Sequence, residues 1–181
     1  KARYLLVQLK PLLQSTVTIM LSGHSYSMDS IHEAYIQDIS MLMTRTYTPE
    51  DVLLVPGCSG ISGGNRNISN RFGDSQVREL KELIRKRNRA AIENLVFQGT
   101  GLDCCAQDKW EYLEVKQTVK RILNTFPETL GSSLSAEETA VLEHMIHMSD
   151  RTVERLDAGI LCDGVRDVIE YCMSVGHAEA V

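Results

Sequence analysis

Along the last two-thirds of the chain, apolar residues recur at three- and four-residue intervals, the spacing that lines one face of an α-helix. Val77, Leu80, Ile84, Ala91 and Leu95 form one such stripe, interrupted only by Asn88 and ending near Gly99. Tyr112, Val115, Val119, Ile122 and Phe126 form a second. It should stop at Pro127, whose ring supplies no amide donor and clashes with the preceding turn. Leu142, Met145, Ile146, Ser149, Val153 and Leu156 make a third, reaching to Gly159, and Val165, Val168, Ile169 and Cys172 a fourth.

Start signals accompany these stripes. Ser135-Ala136-Glu137-Glu138 is a capping box, in which serine and glutamate each satisfy an orphan amide of the first turn. Thr48-Pro49-Glu50-Asp51 offers an N-cap, a proline at the first helical position and acids in the first turn. Asp74 and Asp163 stand where caps are expected ahead of two further runs.

The N-terminal third has a weaker pattern. Lys1 to Leu13 reads as a helix crossed by Pro11, and Met28 to Arg45 as another with Ile31, Tyr35, Ile39 and Leu42 on one face. Ser15 to Leu21 between them is rich in β-branched residues and reads as a short strand. The expected fold is therefore all-α, a bundle of about six helices. The alternative is α/β, with Thr16–Leu21 and Val52–Val55 pairing in parallel across the intervening helix.

Gly57 to Gly73 holds five of the twelve glycines with three serines and three asparagines, a composition that reads as a long loop. It divides an N-terminal helical unit, 1–56, from a C-terminal one, 74–181, with 57–73 as the flexible connection. Together they are expected to form one compact domain of a larger protein.

Composition alters the picture only when charge is divided by region. The net charge of -5 is unremarkable, and 43% hydrophobic residues place the chain among ordinary globular proteins. Residues 66–89, however, carry eight basic and three acidic groups, whereas 128–181 carry three and eleven. The basic segment, Arg66, Arg71, Arg78, Lys81, Arg85, Lys86, Arg87 and Arg89, would offer a surface to nucleic acid or to an acidic partner. Alternatively, it neutralises the acidic third within the fold or between protomers. Glu82 precedes Lys86 by four residues, a pairing expected of an ordinary exposed helix, and no aromatic residue interleaves the cluster.

Other chemistry is sparse. Trp110, the sole tryptophan, falls about 200° from the apolar stripe of its helix when phased at about 100° per residue, so it is either a second packing contact or an interface anchor. His144 and His147 lie three apart with no Cys-x-x-Cys or His-Glu-x-x-His to complete a metal site, so neither metal nor cofactor is expected. The five cysteines, odd in number and irregularly spaced, imply a reducing compartment, cytoplasmic or nuclear. Gln8, Lys10, Pro11 and Gln14 break the apolar stretch from Tyr4 to Leu21, so no membrane span is expected.

Gly23-His24-Ser25-Tyr26-Ser27 follows a β-prone run and precedes a helix, and it resembles the Gly-His-Ser-x-Gly nucleophile elbow of the α/β-hydrolases. Ser27 replaces the second glycine. Gly60-Ile61-Ser62-Gly63-Gly64 fits the same pattern but leads into a polar stretch. The resemblance implies a small serine-dependent hydrolase or transferase using Ser25 or Ser62. Separately, Glu93-Asn94-Leu95-Val96-Phe97-Gln98-Gly99 resembles the cleavage site of the potyviral NIa-type protease, with Val96 in place of tyrosine. The favoured expectation is non-enzymatic: a helical interaction or regulatory module that binds protein partners or itself, with the basic helix as a candidate surface.

Overall fold

The computed structural model describes Tyr4, Leu5, 7–9, 18–21, 27–43, Arg45, Tyr47, 52–54, 71–105, Asp108 and 110–175. The fold is mostly helical, as the periodicity requires. Six α-helices occur among the described residues beyond the first nine: α1 (Ile31–Met43), α2 (Asp74–Arg85), α3 (Arg89–Glu93), α4 (Tyr112–Leu130), α5 (Ala136–Thr152) and α6 (Ala158–Ser174). The described part of the first stretch, Tyr4, Leu5 and 7–9, is also helical. A two-stranded parallel sheet accompanies them, with β1 (Thr18–Met20) aligned on β2 (Val52–Leu54) so that Thr18 faces Val52 and Met20 faces Leu54. The strand pairing of the alternative reading is thus present inside a helical protein. It also means that the cap signal at 48–51 leads into a strand rather than a helix.

The core lies in the C-terminal unit. All five residues of the second stripe are buried, together with Leu80 and Ile84 of α2, Leu142 of α5 and the fourth stripe on α6. Tyr47 and Phe72 from earlier in the chain join this core. Tyr47 N donates to the Trp110 carbonyl at 2.6 Å and Tyr112 N to the Arg45 carbonyl at 2.7 Å, which fastens the segment after α1 to the entrance of α4.

Four local expectations need correction. The first stripe is not one helix: Arg87 adopts a left-handed φ of 51°, ending α2, and Asn88 restarts the chain as N-cap by accepting from Ala91 N at 3.1 Å. The break rotates the second half, so Ile92 and Val96 are buried where Ala91 and Leu95 were expected. Pro127 does not end α4, which continues to Leu130. A proline in the last turn forfeits one amide bond while Phe126 and Leu130 remain packed. The third stripe is likewise two elements. After α5 comes a 3₁₀ turn, Val153–Arg155, and Leu156 at φ 56° turns the chain into α6. Finally, the caps shift: Gly73 precedes α2, leaving Asp74 in its first turn, and α6 is capped by Asp157, which accepts from Gly159 N and Ile160 N.

One close approach depends on a glycine. A Cβ at Gly164 of α6 would lie 3.3 Å from Ser149 Oγ, the same hydroxyl that donates to the Gly164 carbonyl at 2.9 Å. Ser149, a polar residue on an apolar stripe, is thereby satisfied where α5 and α6 pack together.

Candidate functional site

The basic segment can be followed residue by residue. Arg66 lies outside the described residues. Arg71 stacks over the Trp110 ring, 4.2 Å from its centroid, and its Nε donates to Glu114 at 2.7 Å. Lys81 pairs with Glu128 of α4 at 2.8 Å. Arg89 pairs with Glu93 at 2.7 Å and with Glu170 of α6 at 3.4 Å. Arg87 has a different role, because its Nη1 donates to the carbonyls of Met173 and Val175 at 3.2 and 2.6 Å, where α6 ends. Carbonyls left without helical partners at a C-terminus accept a cation well, since the helix dipole places negative charge there.

Half of the eight cations are therefore engaged inside the fold, two of them, Lys81 and Arg89, by acids of the C-terminal third. Arg78 and Arg85 on α2 and Lys86 at its end remain exposed, and their only partners among the described residues are a helix carbonyl at 3.3 Å from Arg78 Nε and Glu82 at 4.0 Å from Lys86. These three make a small surface rather than a groove.

Trp110 is 1% exposed and belongs to the core, so it takes the packing role and not that of an interface anchor. The phase of about 200° does not apply to it, because α4 starts only at Tyr112, with Glu111 extended as N-cap. Sequence periodicity cannot place a residue that precedes the helix.

A polar cluster missed by sequence reasoning joins the α4 entrance to the turn before α6. Tyr112 OH donates a short bond to Glu154, and Lys116 Nζ donates to Glu154 at 2.9 Å and to Tyr112 at 3.2 Å. Arg45 lies over the Tyr112 ring, 4.7 Å from its centroid. Burial alone would raise the Glu154 pKa, but the bonds from Tyr112 and Lys116 outweigh it and hold the carboxyl below its ordinary value. Those bonds hold Lys116 above its ordinary value, while burial and the Glu154 bond raise Tyr112. All three groups are set away from neutral titration, which suits a structural clamp rather than acid–base catalysis.

Two buried thiols of α6 are held in the neutral form. Burial pushes Cys162 up to about 11 and Cys172 up to about 12, away from the reactive thiolate range. His144 and His147 are exposed on α5, and no group of three or more metal-ligating side chains occurs among the described residues. Ser25 and Ser62, and with them both elbow-like turns, lie outside the described residues. Glu93 to Gly99 forms the end of α3 and a π-helical turn, and Val96 and Phe97 are buried.

A different feature stands out at the surface. Met28, in the 3₁₀ turn Met28–Ser30 that leads into α1, and Ile31 and Tyr35 of α1 itself are spaced three and four apart, with exposures of 84, 58 and 61%. Ala34 is the one fully buried residue of this helix among those described, while Ile39 and Leu42 farther along are half-buried. From Met28 to Met43 the charged residues are Asp29, Glu33 and Asp38, with no lysine or arginine.

No protein-family model, curated protein or solved structure matches the chain. The fold is a helical bundle in which α1 carries exposed apolar side chains. No helix among the described residues is long and apolar enough to cross a membrane.

Proposed function

We propose that the chain is a non-enzymatic helical interaction module whose docking element is α1. The observation that supports this reading is the exposed stripe Met28, Ile31 and Tyr35. Large apolar side chains grouped at helical spacing on a surface are costly in water and mark contact sites. The mode they fit is a helix laid in an apolar groove, read through anchors at successive turns. Because α1 carries acids and no cation, the complementary groove has a basic rim.

Contact with a polyanion through α2 has less support. Arg71, Lys81, Arg87 and Arg89 are held by the protein's own acids and carbonyls. Arg78, Arg85 and Lys86 are left to attract such a partner.

A photo-crosslinker at two positions tests the proposal. Tyr35→p-benzoylphenylalanine should yield a crosslinked protein adduct in cells, and Arg78→p-benzoylphenylalanine should yield none. Adducts from position 78 alone would move the docking surface to α2 and overturn the assignment.

A further inference from the structure

The facing surfaces of α4 and α5 border an open cleft of about 360 Å³, within the range of small-molecule sites. Its walls hold five polar side chains, Lys120 and Asn124 from α4 and Glu143, His147 and Asp150 from α5. Among the described residues none of the five has a side-chain hydrogen bond or ion pair. That is the reverse of the basic segment, where cations are paired across helices. One Asp150 oxygen, Oδ1, is sealed from solvent with no hydrogen-bond partner, which leaves Oδ2 as the oxygen that an opposite charge can reach. Between the polar groups, Leu123, Pro127 and Ile146 supply an apolar floor.

Spacing sets the chemistry of an occupant. Glu143 and Asp150 are seven residues apart on one helix, so their backbones stand on the order of 10 Å apart along its axis, two turns at about 1.5 Å per residue. Both carboxylates belong to α5, and Lys120 is on the facing helix. A matching ligand carries an ammonium at each end of an aliphatic chain and a carboxylate beside one of them. The methylenes would cover the floor, the ammonium groups would face Glu143 and Asp150, and the carboxylate would face Lys120. We infer that this cleft binds a free dibasic amino acid.

L-Lysine titrated into the isotope-labelled full chain at low salt, followed by nuclear magnetic resonance, tests this. The Asn124 side-chain amide and the His147 ring should shift saturably. Cadaverine, which lacks the carboxylate, and Nα-acetyl-lysine amide, which mimics the residue within a peptide, should each bind at least about fivefold more weakly. Asp150→Asn and Glu143→Gln should each weaken lysine about tenfold. Lys120→Met should erase the preference for lysine over cadaverine. Absence of saturable shifts, equal binding of lysine and cadaverine, or unchanged affinity in Asp150→Asn and Lys120→Met would overturn the assignment.

Discussion

The guanidinium of Arg87, at the left-handed end of α2, donates to the carbonyl of Val175 at 2.6 Å and so closes the C-terminus of α6, 88 residues away in sequence. Two costs and gains are combined in this residue. A left-handed non-glycine backbone is strained by about 1–2 kcal/mol, whereas bonds from a charged donor return about 1.5–3 kcal/mol. Arg87→Gly removes strain and bonds together, while Arg87→Ala removes only the bonds. Chemical denaturation should therefore rank wild type above Arg87→Gly and Arg87→Ala lowest, with Arg87→Ala about 1–3 kcal/mol below wild type. Equal stability of all three would show that the α6 terminus does not depend on this contact.

The Glu154 cluster predicts a pH response. Its carboxyl is held below the unfolded value of about 4.3, so it stabilises the fold above that pH and the contribution fades as pH falls through the folded pKa. Lys116 is held above about 10.4; its contribution is complete below that pH and is lost as pH rises through the folded pKa. The Glu154 side chain is 54% exposed, so solvent screening limits the effect to about 1 kcal/mol or less. Thermal melts of wild type and Glu154→Gln should differ near pH 7 and converge as pH is lowered below 4. A constant difference down to acid pH would remove the clamp from the account.

Trp110 and Arg71 give a packing prediction. Trp110→Ala should cost about 3–5 kcal/mol, as expected for a fully buried aromatic. Arg71→Ala should cost about 1–3 kcal/mol through the lost stacking and the lost bond to Glu114. Tryptophan emission in the folded chain should be blue-shifted and unaffected by duplex DNA. A red emission that shifts on adding DNA would place Trp110 at an interface instead.

Those features show how far the amino-acid pattern reaches. The α4 stripe and the Ser135 capping box are local, one written in the periodicity of five residues and the other in a serine and glutamate three apart. Their structure matches. The break at Arg87 is not local, because nothing around that residue signals a positive φ; its reason is the free end of α6. The same holds for the basic segment, whose partners Glu128 and Glu170 are remote in sequence. The charge division between segments was legible, and the pairing that answers it was not. The exposure of Met28, Ile31 and Tyr35 was equally hidden, since an apolar stripe looks the same whether a core or a partner covers it.

Nucleic-acid affinity offers a numerical check on the basic segment. Each phosphate contact contributes about -0.9 to the slope of log affinity against log salt on duplex DNA. Arg78, Arg85 and Lys86 alone would give a slope of about -3, against about -7 were all eight cations in contact. A salt titration by fluorescence anisotropy decides it. A slope near -7 would mean that the ion pairs to Glu114, Glu128 and Glu170 open on binding.

The docking role of α1 is tested most directly by quantitative affinity capture comparing three forms of the chain, wild type, Ile31→Ser/Tyr35→Ser and Arg78→Ser/Arg85→Ser/Lys86→Ser. Both serine variants alter exposed side chains and should leave the melting temperature within a few degrees of wild type. The α1 variant should lose at least about nine-tenths of the protein held by wild type, since losing two buried apolar anchors is worth at least about 1.4 kcal/mol, while the α2 variant keeps it. Retention by the α1 variant equal to wild type would contradict the account.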